Sequence, residues 1–222
     1  MMELTGWEMR AVDLLTRLFL FLGRLAYRIR IEGLENLPAR GPYILSTNEI
    51  SQMGSAFTTM VIVRLAFEGR LRDLVGFGAE DTWHNPFLIR LYPRTEVHPV
   101  LPGRGQSVPA LLAALETLRA GKVVAMNPEG EMSWDGRIVP FKPGVAWLAL
   151  RSGVPVVPLV STRGAYEVWP RWSMQPRFTG RFAIRLGRPI HLADGSLRRV
   201  EDDDLVAATR RLTEEIQALI YD

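Results

Sequence analysis

Apolar residues near the N-terminus recur at helical spacing, at Val12, Leu15, Phe19, Leu22 and Ala26, with Arg10, Arg17, Arg24 and Arg28 interleaved. This pattern predicts an amphipathic helix over residues 7–31. Its longest uncharged run, Leu18 to Gly23, is far too short to span a bilayer, and the N-terminus shows no small-residue cleavage site. Arginines set among Trp, Leu and Phe are the composition of helices that bury one face among lipid headgroups. A membrane surface and the rest of the fold are therefore both open as partners for this helix.

Downstream, short apolar runs alternate with helical patterns. Tyr43 to Ser46 reads as a strand before a helix at 55–68, Leu74 to Gly78 as a strand before a short helix near 86–92, and Thr95 to Val100 as a strand before a helix at 106–120. Lys122 to Asn127, a helix at 143–152, Val154 to Val160, Arg181 to Gly187 and a terminal helix at 201–219 complete the series. Strands separated by helices imply βαβ units, hence an α/β fold with a mainly parallel central sheet flanked by helices. No repeat, low-complexity tract or linker divides the chain. Residues 1–222 therefore read as one domain, with 1–31 as an N-terminal helical segment.

Composition narrows the chemistry. The 47% hydrophobic content suffices for a substantial core, and the absence of Cys excludes disulfides, thiolate nucleophiles and Cys-based metal sites. The three histidines, His84, His98 and His191, lack the short helical spacings that metal ligands favour, so no metal site is expected. The net charge is +3, and Lys122 and Lys142 are the only lysines, so nearly all positive charge is Arg. Arg pairs bidentately with phosphate or carboxylate, but no compact basic run argues for nucleic acid.

The most informative loop is Ser46 to Phe57, STNEISQMGSAF, at a strand-to-helix turn where enzymes often place reactive groups. Glu49 there is open to two readings, an acid favoured by the start of a helix or a general base. Ser51 most simply caps the helix that follows; as a nucleophile it would require an adjacent base.

Three segments taken in order carry a resemblance. They are NEIS at Asn48 to Ser51, NPEG at Asn127 to Gly130 with FKPG at Phe141 to Gly144, and GVPVVPLV at Gly153 to Val160. Together they resemble the glycerol phosphate and lysophosphatidate acyltransferases, with supporting similarity from IEGLENLP to LGRPIHL. The resemblance implies transfer of a fatty acyl group from acyl-CoA or acyl-carrier protein to a lipid or sugar hydroxyl, without a further cofactor. It also implies a lipid acceptor, a membrane surface as partner, and a cytoplasmic protein peripheral at the inner face of the membrane.

The family's first motif, NHxSxxD, supplies a His as general base and an Asp that orients it. Here those positions hold Glu49 and Gly54, so the dyad is absent. The resemblance assigns substrate contacts to Asn48, Ser51, Asn127, Glu129, Gly130 and Lys142. Arg104 is a stand-in for the Arg that ends the family's second motif, where this chain has His98 and Pro99. In the third motif PEGTRS becomes PEGEMS, with Glu131 and Met132 replacing Thr and Arg. Losing Arg donors and adding a carboxylate weakens a phosphate site, which points away from an ordinary phosphoglycerol acceptor. His84, with Asp81 three residues before it, is the best replacement for the missing imidazole; His98 is a second. A catalytically inactive relative that binds lipid or scaffolds a partner at a membrane is the alternative. The irregular stretch Thr162 to Gly180, with Tyr166, Trp169 and Trp172, reads as a lid over an acyl chain, a membrane-contacting edge, or a loop packing its own aromatics.

Overall fold

The computed structural model describes residues 6–79, 96–100, 107–177 and 180–221. His84, Arg104, the imidazole of His98 and the helix expected near 86–92 lie outside the described residues and side chains.

Helix α1 (Gly6–Tyr27) leads into a short strand β1 (Arg30–Glu32), then β2 (Tyr43–Thr47), α2 (Gln52–Phe67), β3 (Leu74–Ala79) and β4 (Glu96–Val100). Helix α3 (Ser107–Arg119), β5 (Val123–Met126), α4 (Gly144–Ser152), β6 (Val156–Ser161), a short α5 (Gly164–Val168), β7 (Ala183–Leu186) and α6 (Asp202–Tyr221) follow. Among the described residues seven strands form one sheet in the order β1-β7-β6-β2-β5-β3-β4. Every pair is parallel except β6 with β7. The expected α/β class with a mainly parallel sheet and flanking helices therefore holds.

The inner strands are near-continuous apolar runs because helices cover both sheet faces, as parallel sheets require. Every residue of β6 is buried, and Ile44, Leu45, Val124 and Leu148 lie at the centre of the core. The helix expected over 7–31 stops at Tyr27, and Arg30–Glu32 form β1 instead; two further features were not read from the sequence. Strand β7 pairs with β6 antiparallel, Leu159 opposite Leu186, and the long aromatic stretch between them begins with a helical turn, α5.

Helix α1 lies on α2, but not through the stripe that its sequence suggests. The buried positions are Thr16, Leu20, Gly23 and Tyr27, spaced four, three and four residues apart along one narrow line. Gly23 sits so close to Phe57 of α2 that a Cβ there would lie 2.2 Å from its ring. The Phe19 ring stacks beside Phe57 at 4.6 Å between centroids, and Arg64 of α2 reaches Asp13 of α1 at 2.7 Å. Trp7, Leu14, Leu15, Leu18, Phe21, Leu22 and Leu25 remain exposed.

Candidate active site

Strands β2, β5 and β6 run parallel, so their C-terminal ends open on one edge of the sheet. That edge is where open α/β sheets bind their ligands. Ser46 of β2 stands opposite Met126 of β5 on one side and Pro158 of β6 on the other. The loops at 48–51 and 127–143 leave this edge as neighbours.

Asn48 ties the first loop to β6. Its Nδ2 donates to the Ser161 carbonyl at 3.0 Å, and its Oδ1 accepts from Ser161 N at 2.8 Å and from Ser161 Oγ at 3.2 Å. An amide that donates to and accepts from one partner prolongs the strand ladder beyond its last backbone pair. Three residues on, Ser51 has the extended backbone of an N-cap, and its buried Oγ accepts from Gly54 N at 3.0 Å. This satisfies one of the free N–H groups of the first turn of α2.

Gly54 stands where the resemblance would place an Asp, and its surroundings account for a residue without a side chain. A Cβ at this site would lie 2.3 Å from Ser161 Oγ and 3.0 Å from Ser161 Cβ. The start of α2 is therefore drawn directly against the end of β6. Ser161 fills the space in front of Gly54.

Glu49 is held through its own backbone from two directions. Its N–H donates to Glu129 Oε1 at 3.2 Å, and its carbonyl accepts from Ser133 N at 2.9 Å. Glu129 reaches further, accepting from Val139 N at 2.8 Å with Oε2, so one carboxylate joins the β2 loop to the far limb of the β5 loop. The residue is almost wholly enclosed. Burial pushes its carboxyl up to about 7; the Val139 and Glu49 N–H groups pull it down less strongly, and the charges of Glu49 and Glu131 add to the rise.

The rest of the 127–143 loop supports this carboxylate. Asn127 Oδ1 accepts from Glu129 N at 3.0 Å, and Lys142 N donates to the Pro128 carbonyl at 2.8 Å, closing the loop at its base. Asn127 Nδ2 is buried without a partner among the described residues. Gly130 takes a left-handed conformation at φ 69°, and the Lys142 side chain lies against it, with Nζ 2.5 Å from where a Cβ would stand. Ser133 fixes the outer turn, donating to the Arg137 carbonyl at 2.6 Å and accepting from Gly136 N at 3.0 Å.

The aromatic stretch after β6 folds onto this loop. Tyr166 donates through its hydroxyl to the Trp134 carbonyl at 2.6 Å, Trp172 Nε1 donates to Tyr166 at 3.0 Å, and Trp169 Nε1 donates to the Ser173 carbonyl at 3.0 Å. Of the three readings open for it, packing of its own aromatics describes these contacts, although Trp172 and Trp134 keep exposed faces. Arg171 joins the two sides. Its Nη1 donates to the Met132 carbonyl at 2.9 Å, its guanidinium lies 4.0 Å over the Trp134 ring, and its own carbonyl is 3.5 Å from Gln52 Nε2.

Asn48, Glu49, Ser51, Asn127, Glu129, Gly130 and Lys142 are thus brought to one edge of the sheet. Ser161, Ser133 and Arg171 belong to the same constellation and were not singled out from the sequence. Ser161 ends a strand with no motif letter attached, and Arg171 lies about 40 residues beyond the loop that it contacts. Among the described residues no group of three or more His, Cys, Asp or Glu side chains is placed to hold a metal ion.

A sheet edge carrying a clamped acidic residue, a capped helix start and a bracing glutamate is a candidate site on an α/β scaffold. The chain belongs to the Acyltransferase family, whose model matches residues 28–162. It is 29% identical over 178 residues to a 1-acyl-sn-glycerol-3-phosphate acyltransferase of Limnanthes douglasii, covering 78% of this chain and 58% of that one. It is 26% identical over 181 residues to the alpha form of that enzyme in Mus musculus, covering 78% and 59%. The chain thus spans a little under three-fifths of the length of these curated relatives. Its fold is similar to that of the 1-acyl-sn-glycerophosphate acyltransferase PlsC from Thermotoga maritima, with a TM-score of 0.61 at 23% identity, over 95% of this chain and 80% of that one.

Proposed function

We propose that the protein transfers a fatty acyl group from an acyl thioester, acyl-CoA or an acylated carrier protein, to a lipid hydroxyl, with Glu49 as the general base. The acceptor hydroxyl gives its proton to the Glu49 carboxylate as its oxygen bonds to the thioester carbonyl carbon. The carbon–sulfur bond then breaks, and the thiolate takes up the proton. A free carboxylate is about two pKa units less basic than imidazole, so a slower reaction than a His-based one is expected. Relatives named for 1-acyl-sn-glycerol-3-phosphate make a lysophospholipid the first acceptor to try.

The observation that carries this reading is the double clamp on residue 49. Glu129 and Ser133 fix the peptide on both sides, which is the preorganisation that a base needs to meet a substrate proton. Purified protein incubated with an acyl-CoA and either lysophosphatidate or monoacylglycerol should yield acylated acceptor detectable by mass spectrometry. Lipid binding without product on either acceptor favours the second reading, a catalytically inactive relative. The filled space at Gly54 is the specific observation on that side.

The exposed apolar side chains of α1, bordered by Arg10, Arg17 and Arg24, support a peripheral membrane surface as the place of work. No helix among the described residues is long and apolar enough to cross a membrane.

A further inference from the structure

Arg171 is held in a fixed orientation by two contacts. The indole of Trp134 supports its guanidinium from one face at 4.0 Å, and the Met132 carbonyl orients Nη1 at 2.9 Å. A planar cation held in this way retains its fork of donors and has lost much of its freedom before a ligand arrives. Only Nη1 has a partner among the described residues, and about a third of the side chain is exposed.

Its anionic neighbour is Glu131, whose carboxylate stands 3.8 Å from Nη1. That separation is an ion pair without a hydrogen bond, and the Glu131 side chain is half in water. Such a carboxylate swings away easily. It shields the guanidinium without satisfying it, and an incoming dianion with several oxygens would replace it at little cost.

The location suits a substrate headgroup. Met132 immediately precedes Ser133, which binds the Glu49 carbonyl, and the Arg171 backbone lies against Gln52, three residues beyond Glu49. The guanidinium therefore stands beside the loop that presents the candidate base. Position 132 lacks an Arg, but a guanidinium arrives at the same turn from the segment after β6.

We propose that Arg171 binds the anionic headgroup of the acceptor lipid, and that Glu131 is a built-in competitor that sets how tightly that headgroup is held. This rests on the acyl-transfer reading for the identity of the acceptor, and it revises the sequence-based expectation that phosphate is poorly accommodated. An anionic acceptor is received by a residue outside the motif, against a tunable internal rival.

The test uses the full chain and sn-glycerol 3-phosphate as probe, with glycerol as the neutral control, followed by Trp fluorescence or calorimetry. Arg171→Met is expected to weaken glycerol 3-phosphate binding by about tenfold or more, with Arg171→Lys intermediate because a point charge replaces a fork. Glu131→Gln, at an exposed position that leaves folding intact, is expected to tighten binding by about threefold, consistent with removal of an exposed competing charge. In acyl transfer, Arg171→Lys should raise KM for lysophosphatidate by a clearly larger factor than KM for monoacylglycerol.

Millimolar glycerol 3-phosphate that fails to bind wild type, binding that Glu131→Gln weakens, or equal losses on charged and neutral acceptors would each overturn the assignment. The last pattern would mark Arg171 as a brace for the loop. Failure of acyl transfer with every acceptor would defeat the functional reading alone, since the binding measurements still decide the role of Arg171.

Discussion

Glu129 joins two loops with a group that changes charge near neutrality, which makes its protonation visible in stability. The folded carboxyl holds its proton up to about pH 7, whereas its ordinary value is 4.5, so the native state binds more protons between these limits. The stabilising contribution is complete below about pH 4.5 and is lost as pH rises through about 7, amounting to on the order of 3 kcal/mol. Chemical denaturation from about pH 5 to about pH 8 should show wild type losing stability against Glu129→Gln, which cannot titrate. The variant starts lower by about 1–3 kcal/mol, because one amide oxygen cannot serve both the Glu49 and Val139 N–H groups. A difference between the two proteins that does not change with pH would refute the raised carboxyl.

The neighbouring position tests the filled space. Gly54→Asp alone should lower Tm markedly, since its Cβ has no room beside Ser161, while Gly54→Asp with Ser161→Gly should recover a large part of the loss. Full stability of the single variant would show that α2 moves away from β6 freely. Ser51 and Glu49 were legible in the sequence as a cap and an ambiguous acid, because both belong to local helix-start chemistry. Ser161 and Arg171 were not, because their roles arise from contacts 113 and 39 residues away along the chain.

At the scale of elements, α1 shows what periodicity can and cannot determine. The helix was legible from spacing, but the stripe read from it, Val12, Leu15, Phe19, Leu22 and Ala26, is not the buried one, Thr16, Leu20, Gly23 and Tyr27, because almost all its turns carry apolar residues. Gly23 decides which stripe is buried, because only a glycine lets the Phe57 ring approach the helix axis. The side chains left outside are the ones available to a bilayer. Co-sedimentation with anionic phospholipid vesicles should detect binding that Leu14→Ser, Leu18→Ser and Leu25→Ser together reduce at least about tenfold, three Leu side chains being removed from the exposed side of α1. Unchanged sedimentation of the triple variant would discard α1 as the docking surface. The short α5 escaped the sequence reading because five residues among Pro, Trp and Arg carry no measurable helical period.

For the molecule as a whole, the alternation of strands and helices made the α/β class and the parallel sheet legible. Strand order was not, since nothing local reveals that β2 lies between β6 and β5. That order is what brings the NEIS turn, the NPEG loop and the end of GVPVVPLV to one edge, and it lets separated motifs form one site. The central claim is that Glu49, clamped by Glu129 and Ser133, serves as the base for acyl transfer. Its most direct test is the initial rate of CoA release from an acyl-CoA in the presence of lysophosphatidate, comparing wild type with Glu49→Gln. The account predicts a rate at least about 10²-fold lower in the variant, as expected for removal of a general base, with KM for the acyl-CoA unchanged. Equal rates in the two proteins would contradict it.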